Sequence, residues 1–467
     1  MTERSAGAAD DEELGRPGPD SLTEPLALRG RPPGAIPLLA ALQPNIVRSH
    51  VRDSLRLLVV RITDAARARA SLARIARSPK LMKSAAEHVD EVHAHRSAGR
   101  PGTPFVWIAL SRSGYERLGK LGQPGDPAFH AGMGASAERL GDPDRREWDY
   151  PRVDALLLVG SHSAEATEKR LRLILAELEG IQIIADEPGA TLRNDQGEAI
   201  EHFGYVDGRS QPLFIREDAE HERETTDGIG VWSPLVPLDR ILVPDPGVPG
   251  RRDCYGSYLI FRKLAQNVKL FDDGEDRVAD HLKLTGADRE RAGAMLVGRF
   301  EDGTPLAIQS AGGSATPVPN NFTYADDARG SKCPHFAHIR VMNHRLAAPE
   351  ERIAIARRGQ TYGARPDLGR EGAALPSEGV GLLFMAVVAD IRSQFERLQQ
   401  AANGGAGRPR DPVIGQAAGG SRMEFPPVWG KPDRVSCPDT LGRAVTMRGG
   451  EYFFLPSLPF LRQLDVE

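Results

Sequence analysis

Four short stretches of this 467-residue chain combine residue types that chemistry uses. The first is GYVDGRSQP, residues 204 to 212, where two glycines flank a Tyr-Val-Asp run and permit the tight or left-handed backbone that presents the Asp207 carboxylate into a cavity. Taken alone, it also reads as an ordinary Asp-Gly turn. The second is KCPHFAHIRVMNHR, residues 332 to 345, which sets His335, His338 and His344 among apolar and cationic residues. Read as a strand from HIR onward, it places His338 and Arg340 on one face and Ile339 on the other. A neutral imidazole there suits axial ligation of haem iron, and the neighbouring Arg340 and Arg345 suit the haem propionates. A packed, hydrogen-bonded histidine is the plain alternative, and no four-ligand pattern argues for zinc.

The third stretch is RIAIARRGQTYG, residues 352 to 363, an alternating strand that ends in two arginines. Arg357 either faces solvent or meets something negative, because an unpaired buried guanidinium is costly. In the fourth, GVGLLFMAVVAD, residues 379 to 390, a period of two puts Leu382 and Phe384 on one buried face. Asp390 stands where the strand pattern turns helical. It is placed either to cap that helix or to accept a proton from an imidazole.

The elements that must position these groups follow from hydrophobic periodicity. DSLRLLVVRI, PFVWIAL, DALLLVG and IQIIAD read as strands, with a helix beginning near Asp64 and another after DALLLVG. A Gly/Pro-rich crossing near residues 236 to 251 leads to a second half, where GSYLIFRKL, HIRVM, RIAIA, GVGLLFMAVVAD and GGEYFFLPS read as strands. DGEDRVADHLKLT, DRERAGAML and ADIRSQFERLQQAAN read as helices, the last with Ile391, Phe395 and Leu398 on one face. The pattern predicts an α+β protein with antiparallel sheets covered by helices. The expected organisation is a flexible tail over residues 1–32, a first domain over 33–235 and a second over 236–467.

Composition excludes several function classes. With 60 Lys and Arg against 64 Asp and Glu, the net charge of −4 gives no support for nucleic-acid binding. No run approaches 18 apolar residues, so no membrane span is expected, and the acidic start lacks the pattern of a secretory signal. Cytoplasmic residence is the default expectation. The three cysteines form neither CxxC nor CxxCH, which argues against covalently attached haem.

GYVDG followed by QP, CPHFAHIR followed by NHR, RRGQTYG, GLLFM and RGGEYFF occur in that order, and together they resemble the dye-decolourising peroxidase family from about Ile36 to the terminus. The resemblance implies two ferredoxin-like α/β sandwich domains and one non-covalent haem b per chain, held mainly by the second domain. It implies His338 as the iron ligand, Asp207 and Arg357 above the metal, Leu382 and Phe384 lining the distal pocket, and Asp390 as hydrogen-bond partner of His338, with Arg340 and Arg345 the nearby arginines that suit the propionates. His344 stands where many relatives have proline, which puts the local loop in question. The implied reaction reduces hydrogen peroxide and oxidises dyes, phenols or other organic electron donors, and a carboxylate base near its ordinary pKa of about 4 suggests activity favoured by acidic conditions. Another haem-dependent oxidative enzyme and a non-catalytic haem carrier are the competing readings. Homo-oligomerisation stays open.

Overall fold

The protein is described by a computed structural model covering residues 21–50, 52–119, 122–150, 152–313, 317–345, 353–368, 373–416, 422–439 and 441–466. In the first half, four strands, β1 (Ser54–Ile62), β2 (Phe105–Ser111), β3 (Ala155–Ser161) and β4 (Ile181–Ala190), enclose helices α1 (Ala65–Arg77) and α2 (Ala164–Glu177) in sequence. Helix α1 starts where expected, because the Asp64 side chain accepts from the Arg67 amide and satisfies a donor the helix cannot. The second half supplies β5 (Tyr255–Gln266), α3 (Val268–His281), α4 (Glu290–Val297), α5 (His338–Met342), β6 (Ala356–Arg357), β7 (Gln360–Tyr362), β8 (Gly381–Val388), α6 (Arg397–Ala402) and β9 (Val445–Leu455).

Spatial order shows the same plan twice. The strands run β4-β1-β3-β2 in the first half and β9-β5-β8-β7 in the second, each a 4-1-3-2 antiparallel sheet of the ferredoxin-like kind. Pairing of Phe453 with Ser111 and Phe454 with Leu110 joins β9 to β2 and makes one continuous sheet. The two ends of this sheet meet, since Thr361 Oγ1 donates to the Ala190 carbonyl and Gln360 Nε2 to Thr191 Oγ1 at 3.0 Å. The sheet therefore curls on itself. Its inner face carries one core, with Leu57, Trp107, Phe261, Leu383, Met385 and Phe453 all buried. Alternate residues point outward. On β1, Leu58 and Val60 pack with Leu72 and Ile75 of α1.

Two expectations change here. Residues 1–20 of the predicted tail lie outside the described residues, but 21–32 are not loose: Leu26 is buried and bridges Ile215, and Glu217 accepts from the amides of Leu28 and Arg29 at 2.9 Å. The HIRVM segment is a helix rather than a strand. Its β-branched residues satisfy a strand pattern, but over five residues the two periods cannot be told apart.

Candidate active site

A cavity lies on the outer face of the second half-sheet, walled by Leu264, Leu382, Phe384, Phe395 and Leu398. Leu382 and Phe384 reach it because they alternate with Leu383 and Met385, which point into the inner core. Phe395 follows from the π-helical turn Ile391–Glu396, whose wider spiral continues into α6.

Asp207 enters from a tight hairpin. Ile200 bridges Val206, the Asp207 amide donates to the Ala199 carbonyl at 3.0 Å, and Gly204 and Gly208 take φ values of 98° and 86° that only glycine adopts freely. Arg357 comes from β6, held opposite Ala386 of β8. Arg357 Nη1 donates to Asp207 Oδ1 at 2.8 Å, and the Gly208 amide donates to the same oxygen at 2.6 Å. Asp207 lines the cavity, and its Oδ2 has no hydrogen-bond partner among the described residues. Partial desolvation at the cavity wall pushes the Asp207 carboxyl up, but the charge and hydrogen bond of Arg357, with the Gly208 amide, outweigh it and hold the acid below its ordinary range. Glu201, on another wall, shows the opposite balance. Burial lifts it to about 7 against the hydrogen bonds it accepts from the Phe203 amide and Gln266.

His338 opens α5, with Met342 one turn later on the same cavity face. Its Nδ1 lies 2.8 Å from Asp411 Oδ2, and Asp411 is fully buried, with Oδ1 accepting from the Val413 amide at 2.8 Å. A carboxylate at Nδ1 fixes the proton there and leaves Nε2 a lone pair. Asp390 does not make this contact. It is exposed, and its Oδ1 caps the π-helical turn through the Ser393 amide at 2.7 Å, so the capping role is the one it fills. The buried carboxylate lies 73 positions from its histidine instead.

Arg340 is also elsewhere. Because HIRVM is helical, residue 340 turns away from residue 338, and its buried guanidinium pairs with Asp327 at 2.8 Å and stacks on Tyr324 at 4.5 Å. Arg345 does face the cavity, with its guanidinium 4.1 Å from the Trp232 ring centre and 3.7 Å from that of Phe322. Beside it stands Arg299, which sequence reading missed. Arg345 Nη2 and Arg299 Nη2 both donate to Asn320 Oδ1, at 2.6 and 2.9 Å. Burial pushes Arg299 down to about 10, and it has no carboxylate within ion-pair distance among the described residues. His344 is exposed, accepts from Arg408 Nη1 at 2.7 Å and does not line the cavity, so it is no rival to His338.

This donor set fits haem. One imidazole offers a free Nε2 backed by a buried carboxylate, the walls are apolar, and at one edge buried Arg299, with no carboxylate within ion-pair distance among the described residues, stands beside Arg345, where a ligand carboxylate would relieve its charge. We expect Asp411→Asn to lower haem affinity about tenfold or more, as loss of such a partner weakens the ligand's basicity. Haem titration followed by absorbance checks this, with Asp390→Asn as the variant that leaves affinity unchanged.

Comparison with known proteins agrees. Residues 41–189 match the family model described as the DyP dimeric alpha+beta barrel domain. The chain is 46% identical over 472 residues to the multifunctional dye peroxidase DyP2 of Amycolatopsis sp., covering 96% of this chain and all of that one. The chain belongs to the dye-decolourising peroxidase family. Peroxidase 2 of Mycetinis scorodonius is a more distant relative, 30% identical over 76% of this chain and 75% of its own length. Among solved structures, DyP2 from Amycolatopsis superposes with a TM-score of 0.90 at 45% identity, covering 95% of this chain and 99% of that one. The Anabaena DyP-type peroxidase gives 0.82 at 34% identity, covering 91% and 94%. This dye-decolourising peroxidase thus shares its fold with relatives over nearly its whole length.

Proposed function

We propose that this peroxidase holds one non-covalent haem b in the cavity, where His338 would ligate the iron, Arg299 and Arg345 would meet the propionates, and Asp207 with Arg357 would handle peroxide. The enzyme is a haem peroxidase that reduces hydrogen peroxide and oxidises dyes and other organic donors. The haem, when bound, supplies the redox chemistry that accepts two oxidising equivalents from peroxide and passes them on to donors one electron at a time.

The observation that carries the residue assignment is the bonding of Asp207. With Oδ1 engaged by Arg357 and Gly208, Oδ2 is the oxygen free to take a proton from bound peroxide. The same oxygen then delivers that proton to the departing oxygen, which leaves as water. Arg357 holds the carboxylate in place and keeps positive charge beside the breaking O–O bond. Asp411 holds the His338 proton at Nδ1, which would keep the Nε2 lone pair available to the iron. The apolar walls contributed by Leu382 and Phe384 exclude water from the reacting oxygens.

The sign of the pH dependence follows. A base acts only when deprotonated, and Arg357 holds Asp207 below its ordinary range. The rate of the peroxide step should therefore stay level from neutral pH down to about pH 4 and fall only below it. Stopped-flow rates across that range test the assignment, and a limb centred above about pH 5 contradicts it. This behaviour keeps the base competent in moderate acid.

A further inference from the structure

Arg357 is followed by a second arginine whose position the peroxide chemistry does not use. Alternation sends Arg357 to the cavity and Arg358 to the opposite side of the chain, where it is 4% exposed. There Arg358 Nε donates to the Asn45 carbonyl at 2.7 Å, Nη2 to the Ile46 carbonyl at 2.7 Å, and Nη1 back to the carbonyl of Arg357 itself at 2.8 Å. The 45–46 loop is fastened in its turn. The Asn45 amide donates to buried His88 Nδ1 at 3.2 Å, Asn45 Oδ1 accepts from the His50 amide at 2.7 Å, and the two imidazoles stack with centres 5.0 Å apart.

A third guanidinium completes the arrangement. Arg52 Nη2 donates to the carbonyl of Arg358 and, at 3.1 Å, to that of Gly359. Three successive carbonyls, those of residues 357, 358 and 359, are thus each held by an arginine. No side chain fits at residue 359, where a Cβ would stand 2.9 Å from the Leu383 carbonyl oxygen, so the turn lies flat against β8. Desolvation pushes half-buried Arg52 down to about 10 and buried Arg358 to about 9, and no acidic group among the described residues offsets it. Neutral amides could tie loops together without burying two uncompensated cations. Rigid forks that bond several carbonyls at once are what guanidinium adds, and they act on the turn that aims Arg357.

We propose that Arg358, braced by Arg52, is the positioning residue that aims the Arg357 guanidinium at Asp207. The inference rests on the reading of Asp207 and Arg357 as the peroxide-handling pair. The test uses haem-loaded Arg358→Lys and Arg52→Lys, with Arg357→Gln as reference, and reads the peroxide rate, its acidic limb and fluoride affinity of the resting protein. Lysine keeps the charge but loses the fork. For Arg358→Lys the expected results are a peroxide rate and a fluoride affinity each lowered about tenfold, as misplacement of a reacting group by an ångström can do. The acidic limb should also rise toward about pH 4, as Asp207 loses its partner. Arg52→Lys should move all three in the same direction by a smaller step, about threefold. A haem-loaded Arg358→Lys protein with all three readouts within twofold of the parent would overturn the proposal. If that variant does not load haem, unchanged readouts in Arg52→Lys overturn it equally. An unaltered peroxide rate in Arg357→Gln would instead sink the reading of the distal pair.

Discussion

Replacing Asp207 by asparagine should lower the second-order rate of peroxide consumption by about a hundredfold or more, the size of effect a positioned general base provides. Asparagine keeps the shape of the carboxylate, and its oxygen can still accept from Arg357 Nη1 and the Gly208 amide. What it lacks is a proton acceptor where Oδ2 stands. The variant should load haem as the parent does, because His338, Asp411, Arg299 and Arg345 lie on other elements. Stability should change little as well. The Asp207 and Arg357 side chains are 40% and 37% exposed, and pairs of that kind contribute about 0–1 kcal/mol. Rates within threefold of the parent, measured on protein of equal haem content, would remove Asp207 from the chemistry.

The second large effect is on the other side of the cavity. His338→Ala should leave the purified protein with less than about a tenth of the parent's haem, since the ligand bond and its backing carboxylate act together. Removing the ring also strips Asp411 Oδ2 of its partner inside a fully buried site, a loss of about 1–3 kcal/mol. Added imidazole distinguishes ligation from packing. It should restore haem binding and the parent's absorption spectrum, because a free ring can occupy the space beside Met342 and hydrogen-bond Asp411 again. Haem content and spectrum unchanged by the substitution would show that another group ligates the iron.

How much of this was legible in the residues depends on distance along the chain. The long strands were readable because they are apolar runs of strand length rich in β-branched and aromatic residues, as in β1 and β2. Asp207, Arg357, Leu382 and Phe384 were readable as a set only through the family resemblance that their motifs carry jointly, each stretch being ambiguous alone, and the fold brings all four to one cavity. The strand assigned to HIRVM failed because a five-residue helix completes little more than one turn. That single error also moved Arg340 to the wrong face. Asp390 drew notice because a strand turned into a helix there, and capping alone accounts for that signal.

Asp411 and Arg299 carried no comparable mark. Asp411 stands before a proline in RDPVIG, an ordinary turn composition, and its role depends on a contact 73 residues away. Arg299 follows the end of α4, where a basic residue near a helix C-terminus needs no further reason. Its meaning comes from burial beside Arg345 and from the Asn320 oxygen they share. Long-range polar contacts of this kind have no period, so the tertiary structure is the first place they become visible.

The most direct test of the account is stopped-flow absorption of the haem-loaded protein mixed with hydrogen peroxide at about pH 4 to 7, followed by an oxidisable dye. The predicted result is a rapid change of the haem spectrum at every pH in that range, reversed as two dye molecules are oxidised for each peroxide reduced. A haem spectrum that forms normally on loading but does not respond to peroxide would contradict it, and would leave a protein that binds haem without turning it over.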